Sequence, residues 1–220
     1  MIREQLKIRW KQFIEPYNLS SGIAEKIFAE IITAYTEPHR HYHNLSHIAH
    51  VFRELDSFAH ISSETKISAE TTWAVWFHDF IYQPGDQNNE EKSAEWARYF
   101  MKKAGANQTE ITRVESMILS TQSHDSRTVD SETQRFLDAD MAILGADRQR
   151  YFQYVDAVRK EHSKIPNFLF NRGRRRFLEN TLEQQPIFSS DFFNKKYENI
   201  ALRNIQSEID YLNAPNQKFL

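Results

Sequence analysis

The sequence predicts an all-α fold, a multi-helix bundle in one domain spanning residues 1–220, and three observations carry that prediction. Glycine and proline are scarce, at 5 and 6 in 220 residues, whereas a β-sandwich or barrel needs many tight turns rich in both. Apolar residues recur at helical spacing along most of the chain. Hydrophobic residues make up 40% and charged residues 26%; that is the balance of a globular chain, and its length is ample for a real core.

Taken in order, Leu6, Trp10, Phe13 and Tyr17 mark a first helix that Pro16 brings to an end. Ser20 and Ser21 can cap a second, with Ile23, Ile27, Ile31 and Tyr35 on its stripe, stopping before Pro38. A third begins near Asn44 and carries Ile48, Val51, Phe52, Leu55 and Phe58. Ser68 opens Ala69 to Tyr82, which is apolar on nearly every face and so reads as the buried central helix. Pro84-Gly85-Asp86 breaks it. Asn89 to Ala104 follows, with Gly105 just past its end. Asn107 and Glu110 form a capping pair for Thr109 to Thr121.

A polar loop, Gln122 to Glu132, leads to a short helix around Phe136 to Leu144 that ends at Gly145. Asp147 starts the next, which carries Phe152, Val155, Val158 and His162. Pro166 starts another, carrying Leu169, Phe170, Phe177 and Leu182. The last runs from Ser190 to Leu212, with Phe193, Tyr197, Ile200, Ile205 and Ile209 inward. About ten helices result. No repeat or low-complexity linker marks a domain boundary.

Composition also excludes functions. The formal net charge of −2 lacks the basic excess of a general nucleic-acid or membrane-surface binder. With no cysteine, disulfides, thiolate ligands and cysteine nucleophiles drop out, leaving His, Asp and Glu to carry chemistry. Met1 to Trp10 has no apolar signal core, and the longest wholly apolar run, Trp73 to Phe77, is far too short to span a bilayer. A cytoplasmic protein is the expectation.

The chemistry concentrates in Arg40-His41-Tyr42-His43-Asn44-Leu45-Ser46-His47-Ile48-Ala49-His50. Of nine histidines, His39, His41, His43, His47 and His50 fall within twelve residues. Residues four and three apart share a helix face, so His43 and His47, or His47 and His50, can serve one cavity. His39, His41 and His60 read as bystanders. His78-Asp79 lies in the most apolar part of the chain, where a carboxylate must be compensated. A metal ion would do this, and so would an arginine. Asp138 and Asp140 sit in another apolar segment, where a helix cap is the competing reading. His124-Asp125 stands in the polar loop before them. Arg172-Gly173-Arg174-Arg175-Arg176 is the basic cluster, from which Arg174 or Arg172 could clamp a phosphate. Glu90 and Glu91 suit the start of a helix, and one of them could orient a ligand or water. Arg203 near Glu208 reads as a buttress of the fold.

The ordered series His47, His78-Asp79, Asp140 resembles the HD-domain superfamily of metal-dependent phosphohydrolases, which is all-helical. Tyr42-His43-Asn44-Leu45-Ser46-His47 is similar to the Tyr-His-Asn-x-x-His signature of the cyclic nucleotide phosphodiesterase branch, as are His78-Asp79, Pro84-Gly85 and Asn88, with one residue inserted. The likeness to a group of small bacterial HD phosphohydrolases covers nearly the whole chain. It takes in Asn89-Glu90-Glu91-x-Ser93-Ala94, Leu137-Asp138-Ala139-Asp140 with Ile143-Leu144-Gly145, Arg172-x-Arg174, and Arg203-Asn204 with Glu208.

The resemblance implies that His47, His78, Asp79 and Asp140 hold a divalent ion (zinc, manganese, iron, nickel, cobalt or magnesium). It also implies that His43 is the general acid; the residues themselves add Asp79, Glu90 and Glu91 as catalytic candidates. From the basic cluster and the polar loop, Arg174, Arg172 and His124 are the candidates to face the substrate, a small phosphate ester with nucleotides among the candidates. The physics agrees: a divalent ion activates water and polarises phosphoryl oxygens, and a histidine can protonate the leaving alkoxide. Two features of the phosphodiesterases are missing. Tyr82 or Gln83 stands where a further His follows the doublet, and no purine clamp is found, so cyclic nucleotide hydrolysis is not carried over. An HD-type di-iron oxygenase, or a non-catalytic binding module with a structural metal, are the alternative readings.

Overall fold

Helix follows helix through the whole described chain, residues 1–61 and 67–213, of this computed structural model. Among these residues there are ten α-helices and no strand, so the all-α prediction holds. The chain divides into two compact units, Met1–Ser126 and Arg127–Leu220. The division falls within the polar stretch read as a loop, whereas the sequence suggests a single domain. No described helix is long and apolar enough to cross a membrane.

The first unit contains α1 (Ile2–Ile14), α2 (Ser21–Tyr35), α3 (Leu45–Ile61), α4 (Ala69–Phe77), α5 (Asn89–Ala104) and α6 (Gln108–Ser120). As its all-round apolar sequence requires, α4 is central, with every residue from Thr71 to Phe77 buried. Ser68 caps it by accepting from the Thr71 amide. The core is aromatic. Trp10 meets Trp73 and Trp76 edge-on at 5.8 and 5.6 Å between ring centroids, and Phe52 meets Trp76 at 5.1 Å. This geometry sets the positive ring edge against the negative ring face. The Trp10 indole N–H donates to the Ala24 carbonyl, and that of Trp73 to the Tyr17 hydroxyl. The Asn107–Glu110 pair forms the full capping box expected of it. Gly105 ends α5 at φ 79°, a left-handed position that costs a glycine little.

Two expectations fail here. Ile23, placed on the α2 stripe, is exposed, although Ile27, Ile31 and Tyr35 are buried. And α4 stops at Phe77, five residues before Tyr82. Pro84 has no N–H to give the Phe80 carbonyl and pushes Gln83 out of the helical region, so the chain turns at His78 to Phe80.

The second unit contains α7 (Ser131–Met141), α8 (Arg148–Glu161), α9 (Asn167–Glu183) and α10 (Asp191–Asn213). Asp130 caps α7, which therefore begins five residues before Phe136; Asp147 caps α8 as expected. A 3₁₀ turn, Ala142–Gly145, lies against α10. A β-carbon on Gly145 would come within 2.4 Å of the Tyr197 β-carbon, so only glycine permits this approach. The side chain of Asn204 holds the same turn by donating to the Leu144 and Ala146 carbonyls at 2.8 and 2.9 Å.

The buried faces of α8 and α9 differ from the apolar stripes in the sequence. Tyr151 and Tyr154 are buried on α8, while Phe152 and Val155 are only partly so. On α9 the buried line is Phe170, Arg174, Leu178 and Thr181, and Leu169 is exposed. The cause is one polar network. Glu208 of α10 receives Arg174 Nε and Nη2 at 2.8 and 3.0 Å and the Tyr151 hydroxyl at 2.5 Å, while Arg174 Nη1 donates to the Tyr154 hydroxyl at 2.8 Å. A buried ion pair survives only when its remaining donors and acceptors are met, and both tyrosines must turn inward to meet them. Arg203, read as the neighbour of Glu208, is exposed on another face: five residues along a helix is about 140° around it.

Candidate metal centre

His47 sits in the first turn of α3, whose buried face also carries Ile48, Val51, Phe52 and Leu55. Its ring is therefore drawn into the unit with the apolar stripe. His78 and Asp79 lie in the turn directly after α4. His47 and His78 are 3% and 1% exposed.

Three donor atoms converge there. His47 Nε2 is 3.0 Å from His78 Nε2. Oδ2 of Asp79 is 3.4 Å from the former and 3.1 Å from the latter. A circle through three such corners has a radius of about 1.8 Å, just inside the ~2.0–2.2 Å bonds that zinc makes to nitrogen and oxygen. The three side chains would hold one ion between them. His47, His78 and Asp140, the penultimate residue of α7, also form a group that could hold a metal ion. The donor set, imidazole and carboxylate without sulfur, suits divalent ions from magnesium and manganese to zinc.

The tautomer of His78 fits ligation. Its Nδ1 lies 3.1 Å from the Val75 carbonyl, an oxygen that can only accept, so in the neutral ring Nδ1 carries the proton and Nε2 presents a lone pair. That carbonyl would have been the acceptor for the Asp79 amide had α4 continued, but the Asp79 N–H donates to the Tyr35 hydroxyl at 3.2 Å. Ending α4 at Phe77 thus frees the carbonyl that orients His78.

Burial alone would raise the Asp79 carboxyl. The nearby imidazoles of His78 and His43, with hydrogen bonds from His47 and, in its doubly protonated form, from His78 Nε2, hold it well below the usual carboxylate range. It is an anion ready for a cation. Glu90, in the first turn of α5, is raised, first by burial and then by the negative charge of Asp79, with His124 acting against the rise. Glu90, His124 and Asp79 therefore share one electrostatic environment. Glu91 is exposed and lines a groove along α5 and α6 with Glu95, Arg98 and Glu115.

His43 precedes α3, in the chain segment leading into it. Its ring stacks on Tyr82 at 4.1 Å between centroids and lies 5.8 Å from the ring of His47. His39 bonds the Tyr82 carbonyl at 2.8 Å, and His41 is exposed. His50 is buried one turn beyond His47, 3.7 Å from the Glu54 carboxylate. In the second unit, Arg174 is committed to Glu208 and Tyr154, and Arg172 is exposed. Asp138 holds the segment that leads into α10, accepting from the Ser189 and Ser190 amides and the Ser190 hydroxyl; burial pushes it up to about 6 against those bonds.

One residue that organises this region does not stand out in the sequence. Arg40, with a side chain 0% exposed, donates from Nη1 to the His43 and Asp79 carbonyls at 3.1 and 2.7 Å, and from Nη2 to the Phe80 carbonyl at 2.9 Å. Glu37 receives its Nε, and Tyr35 and Tyr82 face it with their rings. A signal for it exists: Pro84 leaves the Phe80 carbonyl without its helical donor, so another must be found. The turn is closed on its far side by α5, where Ser93 receives the Ile81 amide and Asn89 the Gln83 amide.

Compared with known proteins, the chain matches no family model, no curated protein and no solved structure.

Proposed function

We propose that the chain is a metal-dependent phosphohydrolase that cleaves a small phosphate ester, with nucleotides among the candidate substrates and the cytoplasm as its compartment. The observation that carries the reading is the triangle of His47 Nε2, His78 Nε2 and Asp79 Oδ2 with the ring of His43 beside it. The order His47, His78-Asp79, Asp140 on a wholly helical chain supports placing it in the HD-domain superfamily.

In this reading His47, His78, Asp79 and Asp140 hold the ion. A divalent ion supplies Lewis acidity toward the phosphoryl oxygens and lowers the pKa of water. His43 gives its proton to the departing alkoxide, since it stands next to the ligands and is not buried with them. Glu90, near Asp79 and raised by burial, can accept a hydrogen bond from the attacking water. The Arg174 donors are already used within its own unit, so phosphate recognition falls to other cations in this scheme.

The test joins metal analysis of the purified protein to a screen of phosphomonoesters, phosphodiesters and nucleoside triphosphates. A transition metal at near-stoichiometric content and hydrolysis of one class are expected, with His78→Ala losing both. Hydrolysis unchanged in His78→Ala would overturn the assignment.

A further inference from the structure

We infer that Arg40 is the positioning residue of this site: one buried guanidinium holds the histidine-bearing segment against the His78-Asp79 turn and so fixes where the ring of His43 stands relative to the ligands. The inference rests on the reading of His43 given above, which it deepens.

The geometry is specific. Arg40 Nη1 serves two carbonyls at once, that of His43 at 3.1 Å and that of Asp79 at 2.7 Å. It therefore ties the backbone of the proposed proton donor directly to the backbone of a proposed ligand, 36 positions later in the sequence. Nη2 reaches the next carbonyl of the turn, Phe80, at 2.9 Å, and Nε is fixed by Glu37 at 2.9 Å. Each donation to the turn is from a cation to a neutral oxygen in a buried setting, where hydrogen bonds to charged groups are the stronger kind.

Lysine could not replace it. An ammonium is a point donor without the planar fork that spans three carbonyls. The tie also sets the contact that locates the His43 ring. Tyr82 stacks on His43 at 4.1 Å, and Tyr82 lies two residues beyond Phe80 on the stretch of chain that Arg40 holds. His39, bonded to the Tyr82 carbonyl at 2.8 Å, fastens the same two segments a second time, so removing Arg40 loosens the alignment rather than dissolving it. A misplacement of about 1 Å in a catalytic group can cost on the order of 10²-fold in rate.

The experiment uses the full chain carrying Arg40→Lys, and Arg40→Ala with and without added guanidinium. Two readouts are taken. The first is the ring ¹H–¹³C signal of His43, assigned by its loss in His43→Gln. The ring current of Tyr82 should displace it from the position of the exposed His41, and in both variants it should move toward that position. The second is hydrolysis of p-nitrophenyl phosphate and its bis ester in manganese. Here kcat should fall at least tenfold with KM within about twofold and bound manganese retained, and guanidinium should restore part of the loss in Arg40→Ala.

A His43 signal unmoved in folded Arg40→Lys and Arg40→Ala would overturn the inference, as would an unchanged kcat with the signal displaced. If the wild-type chain hydrolyses neither ester nor any compound of the wider screen, the phosphohydrolase reading falls, and the His43 signal alone decides the role of Arg40.

Discussion

The Nε2 atoms of His47 and His78 stand 3.0 Å apart, although 31 residues separate them in sequence. Because the Val75 carbonyl claims the His78 Nδ1 proton, the lone pair that the neutral ring carries on Nε2 faces His47 and Asp79. Both nitrogens would serve as ligands of a divalent ion, which takes the imidazole in its neutral form. Added zinc or cobalt should therefore stabilise the folded chain, by about 2.7 kcal/mol at a free concentration 100 times Kd. Thermal unfolding with metal and with a chelator measures it. His78→Ala should show no such difference; an equal metal-induced shift in that variant would place the ion elsewhere.

Much of the first unit is legible in the sequence because local signals there agree with the packing. The α5 span, its terminal Gly105 and the Asn107–Glu110 box follow from caps and periodicity alone. The burial of α4 follows from its composition. What is not legible depends on partners distant in sequence. The end of α4 is set by Pro84 together with Arg40, 39 and 40 residues before the carbonyls it serves. On α8 and α9 the apolar count points to Phe152, Val155 and Leu169, yet Arg174, Tyr151 and Tyr154 lie inward because Glu208 on α10 gathers them. Periodicity counts apolar residues, and it is blind to a polar network that buries itself. The site shows the same limit: His47 and His78-Asp79 stand out by residue type and spacing, whereas the role of Arg40 exists only through backbone carbonyls.

The Arg174–Glu208 pair gives a stability prediction for the second unit. Both side chains are almost fully buried, at 6% and 1% exposed, and Tyr151 and Tyr154 complete their hydrogen bonds. Removing one member leaves the other charge uncompensated, so Arg174→Met or Glu208→Leu should each destabilise by about 3–5 kcal/mol. The double variant should cost less than either single one, because no charge then remains buried. Urea unfolding followed by circular dichroism, arranged as a double-mutant cycle, measures this. Additive losses in the double variant would show that the pair acts through packing alone.

At high pH the relevant group is Tyr17, whose hydroxyl links Trp73 of α4 to Glu110 in the first turn of α6. It accepts from the Trp73 indole at 2.8 Å and donates to a Glu110 carboxylate oxygen at 3.4 Å. Burial raises the phenol most; the Trp73 bond opposes the rise, and the charge of Glu110 adds to it, leaving the group at about 12. Below pH 10 the phenol is protonated both folded and unfolded, so it adds no pH dependence. Between about pH 10 and about pH 12 the unfolded chain releases the proton while the folded chain keeps it, and by linkage folding stability falls with rising pH across that window. Tyr17→Phe removes this dependence, while costing about 1 kcal/mol at neutral pH for the lost indole acceptor. Urea midpoints at about pH 9 and about pH 11 should therefore fall further in the wild-type chain than in Tyr17→Phe. Equal falls would mean that the phenol titrates alike in both states, and that the carboxylate of Glu110 does not hold its proton in place.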